Sequence, residues 1–238
     1  MKTAAVIPVL GRRPLLQHTI TRLLKVNKVD HVICVGDIST DDLQVCVDAG
    51  AYFVNHVNSP LGAKWNRGFY IAREMNPDAV VFVGSSDWLS ANWLDVMLPQ
   101  MQGNDMIGVA GFTMCDIREN LRAVHWYGYT GQRAGEPIGI GRIISAAALD
   151  RMNWRPFDND RENSMDRMMY SRCDHVKLVS DESVTALSIS TGKWPNKHKF
   201  DQHYNNEIEG LNNKISPDAL LAEFPELLTL QKELYGNV

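Results

Sequence analysis

The residues best suited to chemistry fall in a few polar clusters. Ser85-Ser86-Asp87 comes directly after the apolar run Ala79 to Val83. A carboxylate so close to a buried strand needs a compensating cation or hydrogen-bond donors. Arg12 and Arg13 follow the apolar run Thr3 to Val9, and Asp37 and Ser39 follow His31 to Val35. Guanidinium groups suit phosphates, and an ionised carboxylate accepts hydrogen bonds from N–H or O–H groups. Asp158, Asp160, Glu162 and Asp166 form an acidic cluster further on. Lys193, Lys197, His198, Lys199 and His203 surround Trp194 and Phe200, a basic and aromatic segment able to clamp an anion if it closes as a lid.

These clusters must be positioned by regular elements, and the first hundred residues alternate between two periods. Short apolar runs at Thr3–Val9, His31–Val35, Ala51–Val54 and Ala79–Val83 read as strands. Helical stripes at Pro14–Val26, Leu43–Val47, Leu61–Met75 and Ser90–Met101 separate them. Unbroken apolar strands are buried on both faces, and strands alternating with helices make right-handed parallel crossovers. The expected fold is α/β, a Rossmann-like domain with a mostly parallel central sheet flanked by helices. In such sheets ligands bind beyond the carboxyl ends of the strands, where the first three clusters lie.

The second half is less regular. Ile107–Phe112, Ile138–Ser145 and Val184–Ile189 read as strands, and Ala146–Met152 and Asp160–Arg172 as helices. Arg118–Gly135 is polar and aromatic, with Trp126, Tyr127 and Tyr129 close together. From Ser216 an amphipathic helix is expected, with Ser216 as N-cap, Pro217 in the first position and Asp218 in the first turn. The expected organisation is one domain over residues 1–203, in halves 1–101 and 102–203, followed by a helical C-terminal appendage over 204–238.

Composition narrows the function. The chain has 238 residues, 24 Lys+Arg against 28 Asp+Glu and a net charge of −4, so a general polyanion-binding surface is not expected. No run of 18 apolar residues suggests a membrane span, and the first eight residues do not read as a signal peptide. Four scattered cysteines without a C-x-x-C pair argue against a zinc ribbon and read as small buried residues, which points to a reducing, cytoplasmic setting.

Five segments, in order, carry a resemblance. Val6-Ile7-Pro8-Val9-Leu10-Gly11-Arg12 resembles the opening strand of GT-A-fold glycosyltransferases of the family-two type, and Val32 to Ser39 is similar to their second strand with its acidic turn. Asn58 to Gly68 resembles the family's Asn- and Gly-bearing segment before a helix. Val81 to Leu89 occupies the place of the D-x-D motif, with Asp87 the one carboxylate kept. Arg155-Pro156-Phe157-Asp158, followed by Ser164-Met165-Asp166, resembles the F-D turn and its downstream acid.

The resemblance implies inverting transfer of a sugar from a nucleotide-diphosphate donor, UDP-linked, to a hydroxyl. Asp166 would be the general base, with its acidic neighbours left as alternatives, and Asp158 a turn residue. Pro8, Arg12, Asp37, Lys64, Asn66, Ser86 and Asp87 would bind the nucleotide sugar. Mn²⁺ or Mg²⁺ would be held by Asp87 and His198, with His203 a further candidate. Trp126, Tyr127 and Trp154 would stack against sugar or acceptor. The acceptor stays open: a glycan, a lipid-linked sugar, a protein or a nucleic-acid base. Two other readings stand beside this one. A sugar-nucleotide nucleotidyltransferase would need a Gly-rich loop after the first strand, where Leu10 to Pro14 holds one Gly. A non-catalytic sugar-nucleotide or glycan binder is motivated by the neutral Gly84-Ser85-Ser86.

Overall fold

A computed structural model describes residues 1–193, 200–205 and 212–236. The first half runs β1 (Thr3–Pro8), α1 (Arg13–Lys25), β2 (His31–Gly36), α2 (Asp42–Asp48), β3 (Tyr52–Asn55), α3 (Leu61–Glu74), β4 (Ala79–Phe82), β5 (Asp87–Leu89) and α4 (Trp93–Met97). The second half adds β6 (Met106–Gly108), β7 (Phe112–Asp116), β8 (Arg122–Trp126), β9 (Ile143–Ser145), α5 (Ala146–Arg151), α6 (Met165–Ser171), β10 (Val176–Leu178) and β11 (Ala186–Ser190). It ends with α7 (Phe200–Asn205), β12 (Asn212–Ile215), α8 (Pro217–Glu223) and α9 (Leu227–Tyr235).

Seven strands form a sheet in the order β10-β6-β9-β4-β1-β2-β3. Parallel pairs join β1 to β2 and β4, and β2 to β3, while β9 runs antiparallel to both β4 and β6. The unbroken apolar character of β1 has its reason here. Ala5 and Ile7 pack with Leu16 and Ile20 of α1 on one face, while Ala4 and Val6 pack with Phe69 of α3 on the other. The expected α/β domain with a mostly parallel central sheet is the observed one.

A second sheet, β12-β8-β7-β11-β5, was not expected. The run read as one strand over Ile107–Phe112 is divided between the sheets: β6 belongs to the large one and β7 to the small one. The chain also crosses between sheets at Gly84–Ser86. There β4 ends in the large sheet and β5 begins in the small one, antiparallel to β11. The helix expected over Asp160–Arg172 is shorter, starting at Met165 after Ser164 in a left-handed conformation.

Beyond residue 204, β12 pairs with β8, and Ser216 caps α8 by accepting a hydrogen bond from the Ala219 N–H at 3.2 Å. Phe224, Leu227 and Leu230 are buried with Leu15, Trp88 and Leu187. Arg22 latches this tail to the body. It is 5 % exposed, and its Nη1 donates to both oxygens of Glu226 at 2.8 Å. Its Nε donates to the Leu89 carbonyl at 2.8 Å, and its guanidinium lies 4.7 Å from the Phe224 ring centre. Burial holds the guanidinium below its usual range, with Glu226 opposing that shift. Breaking such a pair leaves a buried charge uncompensated, although the partial exposure of Glu226 screens the loss. Glu226→Ala is expected to cost about 1–2 kcal/mol, lowering Tm in a thermal melt by several degrees.

Candidate active site

The tips of β1 and β2 hold the first polar group. Gly11 has φ +67 and Arg12 φ +62, so two successive residues are left-handed, a conformation glycine takes freely and arginine does not. Asp42 pins this turn: its Oδ2 accepts from the Gly11 N–H at 2.8 Å, while its buried Oδ1 has no partner among the described residues. The bend directs Arg12 to the next strand tip, where its Nη1 donates to the Ser86 hydroxyl at 3.1 Å.

Lys64 reaches the same region from α3 and is only 2 % exposed. Its ammonium donates to the Val9 carbonyl and, at 2.6 Å, to Asn58 Oδ1. Burial pulls its pKa down to about 8, against the attraction of Asp42 and Asp37. Asp37 accepts from the Ser39 hydroxyl and N–H, which hold its carboxyl below the usual range. It therefore closes a local turn, since α2 starts only at Asp42. Pro8 ends β1 and contributes geometry.

The second group surrounds a cavity of about 360 Å³. Trp65, Phe82 and Phe157 wall one side, Phe112, Met114 and Trp126 another. Two carboxylates, Asp87 and Asp166, line it. Asp87 Oδ2 accepts from the Gly84 N–H at 2.9 Å. Burial pushes its pKa up to about 6; hydrogen bonds from Gly84 and Ser188 and the charge of Arg12 oppose that, and Asp166 adds to it.

Asp166, at the start of α6, accepts from the Tyr129 hydroxyl at 3.0 Å through Oδ2. Arg142 supports it from below. This side chain is 1 % exposed, and burial depresses its pKa, opposed first by Asp166. Nε donates to the Ile138 carbonyl at 2.6 Å, Nη1 to the Asp166 carbonyl at 2.8 Å, and Nη2 to the Pro137 carbonyl. Nη2 also stands 3.9 Å from Asp166 Oδ1. The sequence hides Arg142 inside an apparent apolar strand; the signal was a charged residue in such a run, which must find partners.

A glycine presses on each acid. A Cβ at Gly84 would come within 2.4 Å of Asp87 Oδ2, and one at Gly139 within 2.6 Å of Asp166 Oδ1. Gly139→Ala must therefore displace the Asp166 carboxylate. With Asp166 as the expected general base, turnover is expected to fall on the order of tenfold or more, because a displacement of about 1 Å is costly at a reacting centre. Steady-state kinetics beside an unchanged circular dichroism spectrum would check it.

Several expectations need correction. Asn66 is not presented to a ligand. Its Nδ2 donates to the Phe157 carbonyl at 2.7 Å and Asn159 Oδ1 at 2.9 Å, and its Oδ1 accepts from the Phe157 N–H at 3.1 Å, so it staples the 157–159 loop to α3. Tyr127 is 46 % exposed and faces away from the cavity. Neighbouring residues of an extended chain point to opposite faces, so Trp126 facing the cavity turns Tyr127 away from it. Trp154 is buried in the core, its indole donating to Asp150 at 2.7 Å. Lys193 caps the end of α9, donating to the Leu234 carbonyl. His203 does line the cavity, 6.5 Å from Trp126 between ring centres. His198 lies outside the described residues.

Divalent cations such as Mn²⁺ and Mg²⁺ favour several oxygen ligands. Asp87 follows two neutral serines, and among the described residues no group of three or more His, Cys, Asp or Glu is placed to hold a metal. The residues described do not make a protein-held site for either ion. No helix among them is long and apolar enough to cross a membrane.

Comparison with known proteins adds to this geometry. The family model described as glycosyl transferase family 2 matches residues 4–159. The structure of S. aureus TarS 1–349 aligns with TM-score 0.54 and 16% identity over 79% of this chain and 60% of that one. The complex of TarS 1–349 with UDP aligns with TM-score 0.52 and 16% identity, over 80% and 61%. A 4-diphosphocytidyl-2C-methyl-D-erythritol synthase aligns with TM-score 0.53 and 12% identity, over 77% and 92%. The chain thus spans about three-fifths of the TarS 1–349 structures it resembles. No curated protein matches.

Proposed function

The chain belongs to glycosyl transferase family 2, and from that premise we propose that it transfers a sugar from a UDP-linked donor to an acceptor hydroxyl with inversion. The observation that carries this reading is the pair Asp87 and Asp166 lining one cavity beyond the strand tips, each fixed by named donors. UDP is the nucleotide of the TarS complex, and Arg12, Asp37 and Lys64 are grouped at the strand tips where a nucleotide would lie.

In this reading Asp166 takes the proton from the acceptor hydroxyl as its oxygen attacks the anomeric carbon. The bond from that carbon to the diphosphate oxygen breaks, and the electron pair leaves with the diphosphate. Tyr129 and Arg142 hold the base in place. Arg12, braced on Ser86 and close enough for its charge to act on Asp87, can meet the leaving group's charge. No step is assigned to a metal ion.

The test is UDP release from a panel of UDP-sugars, with and without hydroxyl acceptors. Release that depends on one donor and rises with acceptor is expected. No release across the panel overturns the reading, as does release of pyrophosphate from a nucleoside triphosphate and a sugar phosphate.

A further inference from the structure

We infer that Arg133 is a positioning residue for the base: it fixes the ring of Tyr129 and, through that ring, the carboxylate of Asp166. The role rests on the glycosyl-transfer reading, in which Asp166 takes the acceptor's proton.

The Tyr129 hydroxyl holds Asp166 Oδ2 at 3.0 Å, so the carboxylate is placed no better than the phenol ring is. Two groups seat that ring. Trp126 meets it edge-on, with ring centres 5.0 Å apart, and the Arg133 guanidinium stacks over its face, 3.4 Å from the centre. A cation over an aromatic face is attracted by the ring's electrons. It also makes the phenol a better donor: Arg133 pulls the Tyr129 pKa down, against burial and Asp166, which push it up. The guanidinium has a fixed seat of its own. Its Nε donates to Glu136 Oε2 at 2.7 Å, and Nη2 stands 2.7 Å from the same oxygen. Glu136 is buried, and a carboxylate so placed needs a compensating cation. Next in the chain come Pro137 and Ile138, whose carbonyls take Arg142 Nη2 and Nε. One loop thus holds Asp166 twice, at the carboxylate through Arg133 and Tyr129 and at the main chain through Arg142.

The experiment measures kcat, donor KM and Tm for Arg133→Met, Tyr129→Phe and the double variant. Methionine keeps an extended side chain and removes both charge and stacking plane. Arg133→Met is expected to lower kcat about tenfold, with donor KM within about twofold of wild type. Arg133→Lys, which keeps a cation over the ring, is expected to restore most of the loss. In the Tyr129→Phe background Arg133→Met should change kcat less than about twofold, because the hydroxyl that carried the effect is gone. Arg133→Met leaves Glu136 unpaired, so the same cycle is run in Glu136→Gln, which removes the stranded charge and decides the matter if Arg133→Met alone does not fold. An equal loss of kcat in both backgrounds, a kcat close to wild type, or a loss that falls on KM overturns the proposal. If no donor is turned over, the melts decide. A Tm loss in the double variant smaller than the sum of the single losses sinks the transferase reading and leaves the linkage from Arg133 to Tyr129 intact, whereas additive losses overturn that linkage as well.

Discussion

Asp166→Asn is expected to lower turnover by about 10²–10⁴-fold, the usual contribution of a positioned general base. The amide keeps an oxygen able to accept from Tyr129, so the 3.0 Å contact has a substitute and α6 has no reason to unfold. Arg142 reaches the main-chain carbonyl of Asp166, which the substitution leaves in place. The effect should therefore fall on kcat, with Tm and donor KM little changed. Product formation under saturating donor, beside a thermal melt, checks this; activity within tenfold of wild type would move the base to another group in the cavity.

Asp87→Asn should do two opposite things, abolishing most activity while making the protein more stable. Asp87 has its pKa raised to about 6, first by burial. A carboxyl whose folded pKa lies above its unfolded value near 4 costs the fold nothing when both states are protonated. As pH rises from about 4 to 6 the unfolded chain ionises first, and stability falls; above about pH 6 the cost stays constant. A shift of about two units corresponds to about 3 kcal/mol at most. Asparagine removes that cost, so Tm should rise by several degrees at pH 7–8 and be unchanged at pH 4. Melts of both proteins across that range make the comparison. A gain that persisted at pH 4 would show that the burial of charge was not its source.

How much of this was legible in the residues depends on the range of the contacts involved. β1, β2 and β4 announce themselves because both faces are covered, by α1 on one side and α3 on the other. Asp87 was legible because it follows such a strand. The small sheet was not. β5 is three residues long, and β8 lies in a polar, aromatic stretch that pairs with β7, whose first residue the sequence merges into the β6 run, and with β12 some ninety residues away. Without those pairings the phase of β8 is unknown, which is why Trp126 and Tyr127 could not be told apart. Asn66 misled for a similar reason: its partners are about ninety residues on, at 157 and 159. Tyr129, Arg142, Gly84 and Gly139 matter through what they touch in space, and one-dimensional spacing carries no trace of that.

The crossing of the chain at Gly84–Ser86 has a mechanical consequence. One acid, Asp87, rides on the small sheet through its pairing with Ser188; the other sits on a helix whose Met169 is packed among the large sheet's side chains. The gap between them thus works as a caliper, set by how the two layers are seated. Substitutions in the seam that spare both acids would still retune the reaction, because they reset the jaws.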